Sequence, residues 1–372
     1  MRWRIALPVV LLSVLLFASV AIPRVRAHQR AADVLRRFAA PAAQGAEEPA
    51  IDVTDEHRDG VMHLRWYVPR AVAEPPVLVL VHGIHRLAVE EPRLVRFARA
   101  LAASGVAVVT PEVRELADYR VDVRSIETIG GAARAAREKL GRKAGIMGMS
   151  FAGGLALLAA CDPRFASDIA MVVAVGAHDD VARVTRFFAT NRVEKADGSS
   201  ATLSAHPYGA LVFVYSHADR LFPAADLEGA KKALSLWLAE DREGARAVAK
   251  TLTTPSNELV LRLFDHHLEE ARAAMLTAAN DDAAALAGVS PRGRLERLAI
   301  PVFLLHGAGD AVIPFTETEW LAKDVPAKSL RDVLVSKALV HVEPGGQPTW
   351  YEQWELLHFV AEILAELDVV SR

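Results

Sequence analysis

The amino-acid sequence predicts an α/β protein built on a doubly wound, mostly parallel sheet. Continuous apolar runs alternate with segments in which apolar residues recur at helical spacing, from about residue 60 to 180 and again after 298. Several of the runs end on a glycine, as strands that are buried on both faces do where a loop follows. Alternating strands and helices in one chain form a parallel sheet with helices on both faces.

The first half of the chain carries the regular alternation. The run PPVLVLVHG at 75–83 is continuously apolar, which is typical of a strand in the middle of a sheet. The run VMHLRWYVP at 61–69 alternates, which is typical of a strand with one polar face. The patterns predict strands at 61–69, 75–83, 105–113, 144–150 and 168–180, with helices at 89–103, 122–140 and 151–160.

The alternation stops between 181 and 297. This interval is mostly helical in pattern, with one polar loop and one apolar, strand-like run at 209–219. A helical insertion late in a parallel sheet is expected to form a lid over the strand ends. Further patterns predict strands at 300–314 and 329–341 and a last helix at 351–367.

The predicted organisation therefore has five parts. In chain order they are a membrane anchor or signal segment at 1–27, a linker at 28–58, the first part of the sheet core at 59–180, a helical lid insertion at 181–297, and the second part of the core at 298–372.

The N-terminal apolar run, Ile5 to Ile22, has about 18 residues, close to the shortest helix that crosses a bilayer. Arginines precede and follow it. Small residues at Ser19 and Ala21 also fit a signal-peptidase site. We therefore expect the chain to be membrane-anchored through an N-terminal helix, or exported by a signal peptide. The flanking charges leave the side of the membrane open.

Composition excludes several classes. The formal net charge of −3 over 372 residues gives no broad basic face, so no nucleic-acid partner is expected. A single cysteine cannot form an intrachain disulfide or a cysteine-based zinc site. The clusters at 178–180 and 265–267 match no defined metal-ligand spacing, so neither a metal nor a cofactor is expected.

The stretch AGIMGMSFAGG, from Ala144 to Gly154, places Ser150 between an apolar strand and an apolar helix. A nucleophile on such an elbow needs small residues two positions before and after it, because the turn is strained and neighbouring chains pass close. Gly148 and Ala152 occupy these positions. Ordinary glycine-rich turns have the same composition, so this stretch alone does not show whether Ser150 is a nucleophile, and other parts of the chain must be considered.

Taken together, four motifs resemble the α/β-hydrolase family over about 60–180 and 298–367. LVLVHG at 78–83 resembles the strand before the oxyanion loop, GMSFAG at 148–153 the nucleophile elbow, and LLHGAGDAVIP at 304–314 the acid loop. The resemblance implies Ser150 as nucleophile, Asp310 as acid and His341 as base, in the family's chain order. It also implies oxyanion donors at the backbone N–H groups of Phe151 and Ile84.

The remaining motif residues support this arrangement. His82 and Gly83 flank the oxyanion loop and are expected to shape it. A serine hydroxyl needs an imidazole to accept its proton, and the imidazole needs a carboxylate to fix its tautomer. Preorganised N–H donors then stabilise the oxyanion.

Alternatives exist for the acid and the base. Asp179 follows the strand after the nucleophile helix, a place where some members of the family carry the acid. Asp219 has a similar spacing from an apolar run, but a helical pattern follows it, which favours a place in the lid. His358 is an alternative base within the last helix.

The sequence thus predicts a serine hydrolase acting on an ester or similar acyl bond of a small-molecule substrate. An acyltransferase would use the same three residues, and a non-catalytic binding protein could share the fold. Leu227, Leu234 and Leu238, on one face of a lid helix, are candidates to line an acyl pocket.

Overall fold

The computed structural model describes residues 22–39, 50–58, 62–340, 343–344 and 348–371, with the backbone alone at 340, 343 and 344. Its strands are β1 (Ile51–Arg58), β2 (Met62–Pro69), β3 (Val77–Val81), β4 (Ala107–Pro111), β5 (Ala144–Met149), β6 (Ile169–Val175), β7 (Arg192–Glu194), β8 (Ser200–Thr202), β9 (Val302–Gly307), β10 (Leu330–Ser336), β11 (Leu339–Val340) and β12 (Glu343–Pro344).

Eight of these strands form one sheet in the order β1-β2-β4-β3-β5-β6-β9-β10. The six strands from β4 to β10 in this order are parallel, while β1 and β2 are antiparallel at one edge. This confirms the predicted doubly wound, mostly parallel sheet. Because β3, β5, β6 and β9 lie side by side and point the same way, the loops that follow them meet at one edge of the sheet.

Helices cover both faces of the sheet. They are α1 (22–39), α2 (Pro92–Ala103), α3 (Arg114–Ala117), α4 (Arg124–Leu140), α5 (Phe151–Cys161), α6 (Val181–Thr190), α7 (Pro207–Ser216), α8 (Leu227–Leu238), α9 (Arg242–Ala249), α10 (Thr254–Phe264), α11 (Glu269–Asp281), α12 (Ala283–Gly288), α13 (Thr316–Asp324) and α14 (Trp350–Val370).

The side chains of each central strand divide between two apolar layers. In β3, Val77, Val79 and Val81 belong to the core formed with α4 and α5. Leu78 and Leu80 belong to the core formed with α2 and α14 on the opposite face. This division explains why the strand is continuously apolar, since both of its faces are buried.

The interval 181–297 contains α6 to α12 and the short β7–β8 hairpin. The strand-like run at 209–219 is helix α7, so the predicted strand is wrong. Pro207 occupies the first turn and the His206 side chain accepts a hydrogen bond from the Tyr208 N–H, which together start a helix. The run is apolar all round because the helix is buried, and a short apolar run does not distinguish a buried helix from a strand.

The prediction of a membrane-spanning N-terminal helix is corrected. Among the helices that the structure describes, none is long and apolar enough to cross a membrane. Residues 5–21 of the predicted segment lie outside the described residues. The last residue of the predicted segment, Ile22, lies at the start of α1, a helix that carries Arg24, Arg26 and Arg30.

The interval 28–58, predicted as a linker, contains most of α1 and all of β1. Helix α1 packs on the body through Ala31 and Val34, which are fully buried in the layer of α2 and α14. Arg30 forms an ion pair of 2.5 Å with Asp368 on α14. The part of the predicted linker with the Ala/Pro/Gly/Glu-rich composition, residues 40–49, lies outside the described residues.

We predict that Val34→Ala lowers the free energy of unfolding by about 1–3 kcal/mol, because it removes buried methyl groups and leaves a cavity. Val25→Ala on the same helix is the control, since Val25 is 55% exposed and should change stability little. Urea denaturation of both variants measures the difference. Equal stability of the two variants would mean that α1 contributes nothing to the body.

Candidate active site

Ser150 lies at the junction of β5 and α5 in a strained backbone conformation. Its φ of 57° and ψ of −132° are rare for a residue with a side chain. The Ser150 N–H donates to the Val175 carbonyl of the next strand at 2.7 Å, which holds the turn against the sheet. The turn therefore has the geometry that the G-x-S-x-G pattern predicts.

Small neighbours are required by direct packing. A Cβ placed on Gly148 would lie 2.4 Å from the Ala152 carbonyl oxygen, so any side chain there would collide with the start of α5. A Cβ placed on Gly153 would lie 2.7 Å from Ala177 Cβ. Ala152 itself is fully buried. Alanine is accepted at this position while Gly148 cannot be replaced without moving the helix.

The Ser150 side chain makes no capping hydrogen bond to α5 within the described part of the chain. Serine at a helix N-terminus normally caps the first amides. Here the Phe151 N–H is the first amide of α5 and has no partner inside the helix by geometry. A buried hydroxyl group and the positive end of a helix therefore face the same space.

The loop after β3 lies directly beside Ser150. A Cβ placed on Gly83 would be 3.4 Å from Ser150 Cβ, so the Gly83 backbone lies against the Ser150 turn. Pairing of Val81 with Gly148 brings the two strand ends together. The loop that carries Gly83 and Ile84 therefore lies beside the Ser150 turn.

His82 fixes the peptide group that carries the Ile84 N–H. Its Nε2 accepts a hydrogen bond from the Val113 N–H at 3.0 Å, so Nδ1 carries the proton and donates to the Gly83 carbonyl at 2.7 Å. The Gly83 carbonyl and the Ile84 N–H belong to one planar trans peptide and point in opposite directions. By holding the carbonyl, His82 also sets the direction of the N–H.

Burial lowers the pKa of His82 to about 4, and the hydrogen bond to Gly83 offsets only part of this effect. The ring is therefore neutral near pH 7. A neutral ring is necessary here, because a protonated Nε2 could not accept the Val113 N–H. His82 is a structural residue of the loop and lacks the accessible, titrating nitrogen of a general base.

Asp310 is fully buried in the loop after β9. Its Oδ1 accepts hydrogen bonds from the N–H groups of Val312 and Ile313 at 2.8 and 2.9 Å. Its Oδ2 lies 3.3 Å from Nε2 of His306. The two backbone donors fix the orientation of the Asp310 carboxylate.

The rival acid Asp179 is committed to a buried ion cluster. Its Oδ2 lies 2.8 Å from the Arg183 guanidinium, which also contacts Glu317 at 2.6 Å. Burial raises the pKa of Asp179 to about 7, and the nearby Glu317 charge adds to this effect. The Arg183 guanidinium thus pairs with the carboxylates of both Asp179 and Glu317. We interpret Asp179 as part of a structural ion cluster.

The remaining candidates from the sequence are His341, His358 and Asp219. His341 lies outside the described residues. His358 sits on α14, where its Nδ1 is 3.0 Å from Nε2 of His28 and its ring stacks on Trp354. Asp219 is exposed on a short 3₁₀ turn of the lid.

A cavity of about 1390 Å³ opens over Ser150 between the sheet edge and the lid. The predicted oxyanion residues Phe151 and Ile84 line it, as do His82 and Gly83. Its apolar walls include Phe188, Val212, Phe213, Trp237 and Leu238. Of the three lid leucines proposed from the sequence, Leu238 lines the cavity, while Leu234 is fully buried inside the lid.

Three residues near the site were not found from the sequence. Tyr208 of α7 donates a hydrogen bond to the Ile84 carbonyl at 2.9 Å. Arg183 and Glu317 meet only in the folded chain, although 134 positions separate them. The sequence carries no local signal for these contacts, because each depends on how the lid lies on the core.

Comparison with known proteins supports the fold. No protein-family model matches the chain, and no curated protein sequence matches it. A solved structure of a candidate dipeptidyl aminopeptidase IV from Bacteroides ovatus is similar at a TM-score of 0.50 and 13% identity, over 88% of this chain and 36% of that chain. At this identity the similarity shows a shared fold and carries nothing about substrate.

Two further solved structures have lower TM-scores. A 2,6-dihydroxy-pseudo-oxynicotine hydrolase has a TM-score of 0.44 at 17% identity, over 87% of this chain and 68% of that chain. A serine hydrolase from the bacterium Cycloclasticus zankles has a TM-score of 0.46 at 10% identity, over 84% and 97%.

The pH dependence of stability tests the state of His82. Its folded pKa of about 4 lies below the ordinary value of 6.5, so the unfolded chain binds more protons between these values. The contribution of neutral His82 is complete above about pH 6.5 and is lost as the pH falls toward 4. We predict that His82→Asn reduces the slope of unfolding free energy against pH in this window by up to about 1.4 kcal/mol per unit. Urea denaturation at several pH values measures the slope, and an unchanged slope would contradict the assignment.

Proposed function

Because the chain has the α/β-hydrolase fold, we propose that it is a serine hydrolase that cleaves an ester or a similar acyl bond through an acyl-enzyme. The observation that carries the proposal is the strained Ser150 turn, which faces a large cavity together with the first amide of α5. Strain of this kind persists only where the surrounding packing imposes it, and it is concentrated at functional sites.

In the proposed reaction the Ser150 hydroxyl attacks the acyl carbon from the floor of the cavity. The negative charge that develops on the acyl oxygen is stabilised by the N–H groups of Phe151 and Ile84. The first belongs to the N-terminus of α5, and the second is oriented by His82 through the Gly83 carbonyl. Loss of one such donor typically costs about 3–4 kcal/mol of transition-state stabilisation.

Proton transfer is assigned to His341, with Asp310 as its orienting carboxylate. Support comes from the position of Asp310. This residue is buried, and its carboxylate accepts hydrogen bonds from two backbone N–H groups. Its neighbours Gly309 and Ala311 line the cavity. His341 follows Val340 of β11 in the sequence, after the strand β10 that pairs with β9. His341 takes the Ser150 hydroxyl proton and passes it to the leaving alcohol. In the second half of the reaction it takes a proton from water, which attacks the acyl carbon, and returns that proton to the Ser150 oxygen as the acid leaves.

The cavity supports a substrate with a large apolar part. Its volume of about 1390 Å³ exceeds the range of about 300–1000 Å³ that is usual for small-molecule sites. Phe188 of α6, Phe213 of α7 and Trp237 of α8 are among the residues that line it. The lid thus provides an apolar space and excludes water from the acyl-enzyme.

We predict that Ser150→Ala abolishes hydrolysis of p-nitrophenyl esters and covalent labelling by a fluorophosphonate. Ser125→Ala is the matched control. Ser125 is also fully buried, and within the described residues its hydroxyl has no hydrogen-bond partner, so its loss should leave folding and rate unchanged. Retained labelling or turnover in Ser150→Ala would refute the assignment of Ser150 as the nucleophile.

A pair of asparagine substitutions separates the two candidate acids. Asp310→Asn should lower kcat by about 10⁴, as expected when the imidazole loses its orienting carboxylate. Asp179→Asn should keep most of the activity, because that carboxylate contacts Arg183. Steady-state kinetics with thermal melting of both proteins tests this. If Asp179→Asn proves the inactive variant and Asp310→Asn the active one, the acid is misassigned.

A further inference from the structure

The start of lid helix α7 contacts two of the loops that form the site. The His206 N–H donates to the Ala311 carbonyl at 2.8 Å, next to Asp310. The Tyr208 hydroxyl donates to the Ile84 carbonyl at 2.9 Å, in the oxyanion loop. One turn of the lid therefore touches both loops, which belong to strands on either side of the nucleophile strand.

The hydrogen bond from Tyr208 complements the one from His82. Ile84 lies between two peptide groups, and each of them has its carbonyl held by one side chain. His82 from the core binds the Gly83 carbonyl, and Tyr208 from the lid binds the Ile84 carbonyl. Since a peptide group is planar, fixing both groups fixes the backbone angles of Ile84 and the position of its N–H.

The packing of α7 against α6 restricts the position of Tyr208. A Cβ placed on Gly209 would lie 2.3 Å from the ring of Phe188 on α6, so this ring packs directly on the backbone of α7 beside Tyr208. The Tyr208 phenol lines the cavity wall. Burial raises the pKa of this phenol, so it stays protonated and can donate its hydrogen bond at neutral pH.

We propose that Tyr208 is a positioning residue that holds the oxyanion loop, so that the site is complete only when the lid is seated. This inference rests on the proposed function, because it assigns the Ile84 N–H to the oxyanion. Tyr208 acts through the Ile84 backbone and does not touch the reacting atoms. Its loss should therefore weaken the transition state while leaving ground-state binding in the cavity unchanged.

Tyr208→Phe removes the hydroxyl and keeps the ring in the wall. We expect kcat for p-nitrophenyl acetate and p-nitrophenyl octanoate to fall roughly tenfold in each case, with KM changed by less than about twofold. The rate of fluorophosphonate labelling should fall by a similar factor. Tyr215→Phe, on the same helix, is the control, because the Tyr215 hydroxyl donates to Asp118 and makes no contact with the oxyanion loop.

A second replacement protects the test against a folding defect. 4-Aminophenylalanine at position 208 keeps an N–H donor on the same ring and should recover most of the lost rate. Circular dichroism and thermal melting establish that each variant folds.

The outcomes separate this inference from the proposed function. Absence of turnover and Ser150-dependent labelling in the unmodified protein would overturn the proposed function itself. If the unmodified protein is active but Tyr208→Phe matches Tyr215→Phe in kcat, the positioning role is wrong. A raised KM with unchanged kcat would also overturn the positioning role, because it would show that Tyr208 contributes only to substrate binding as part of the cavity wall.

Discussion

The architecture of the candidate site depends on one steric constraint, the absence of a side chain at Gly148. Only a bare α-carbon lets α5 begin so close to the end of β5, with the Ala152 carbonyl against the strand. This close approach forces Ser150 into its positive-φ turn and presents the first amide of the helix to the cavity. The neighbouring strands then bring the loop after β3 and the loop that carries Asp310 to the same edge.

A second constraint attaches the lid to this edge. Arg183, in the first turn of the lid, contacts Asp179 on the core side and Glu317 on α13, which follows the acid loop. Near the end of the lid, Ser290 accepts the Val181 N–H through its hydroxyl. Buried charges that are paired in this way are costly to separate, so the entry and exit of the lid are held together. The cluster therefore supports the lid over the cavity that Ser150 lines.

Much of the fold was predictable because strands that are buried on both faces are continuous apolar runs in the sequence. Strands such as β3 and β5 are continuously apolar where both faces are covered, and each has a glycine close to its end, Gly83 after β3 and Gly148 near the end of β5 before Ser150. The same apolar pattern led to a wrong strand prediction at α7, because the run of a largely covered helix is as uniformly apolar as that of a buried strand. The apolar pattern also did not reveal that α1 packs on the body, through Ala31, Val34 and Phe38. Ser150, Asp310 and Ile84 could be named from motifs, whereas the contacts of Tyr208 and Arg183 arise only from tertiary packing and have no pattern in the sequence.

The central claim is that the chain forms a covalent acyl-enzyme on Ser150. Rapid acid quench of the protein during turnover of a p-nitrophenyl ester, followed by mass spectrometry of its peptides, tests this claim most directly. The account predicts a mass increase equal to the acyl group on the peptide that contains Ser150, appearing together with a burst of p-nitrophenol. Turnover with the acyl group on a different residue, or with no acylated peptide at any quench time, would contradict it.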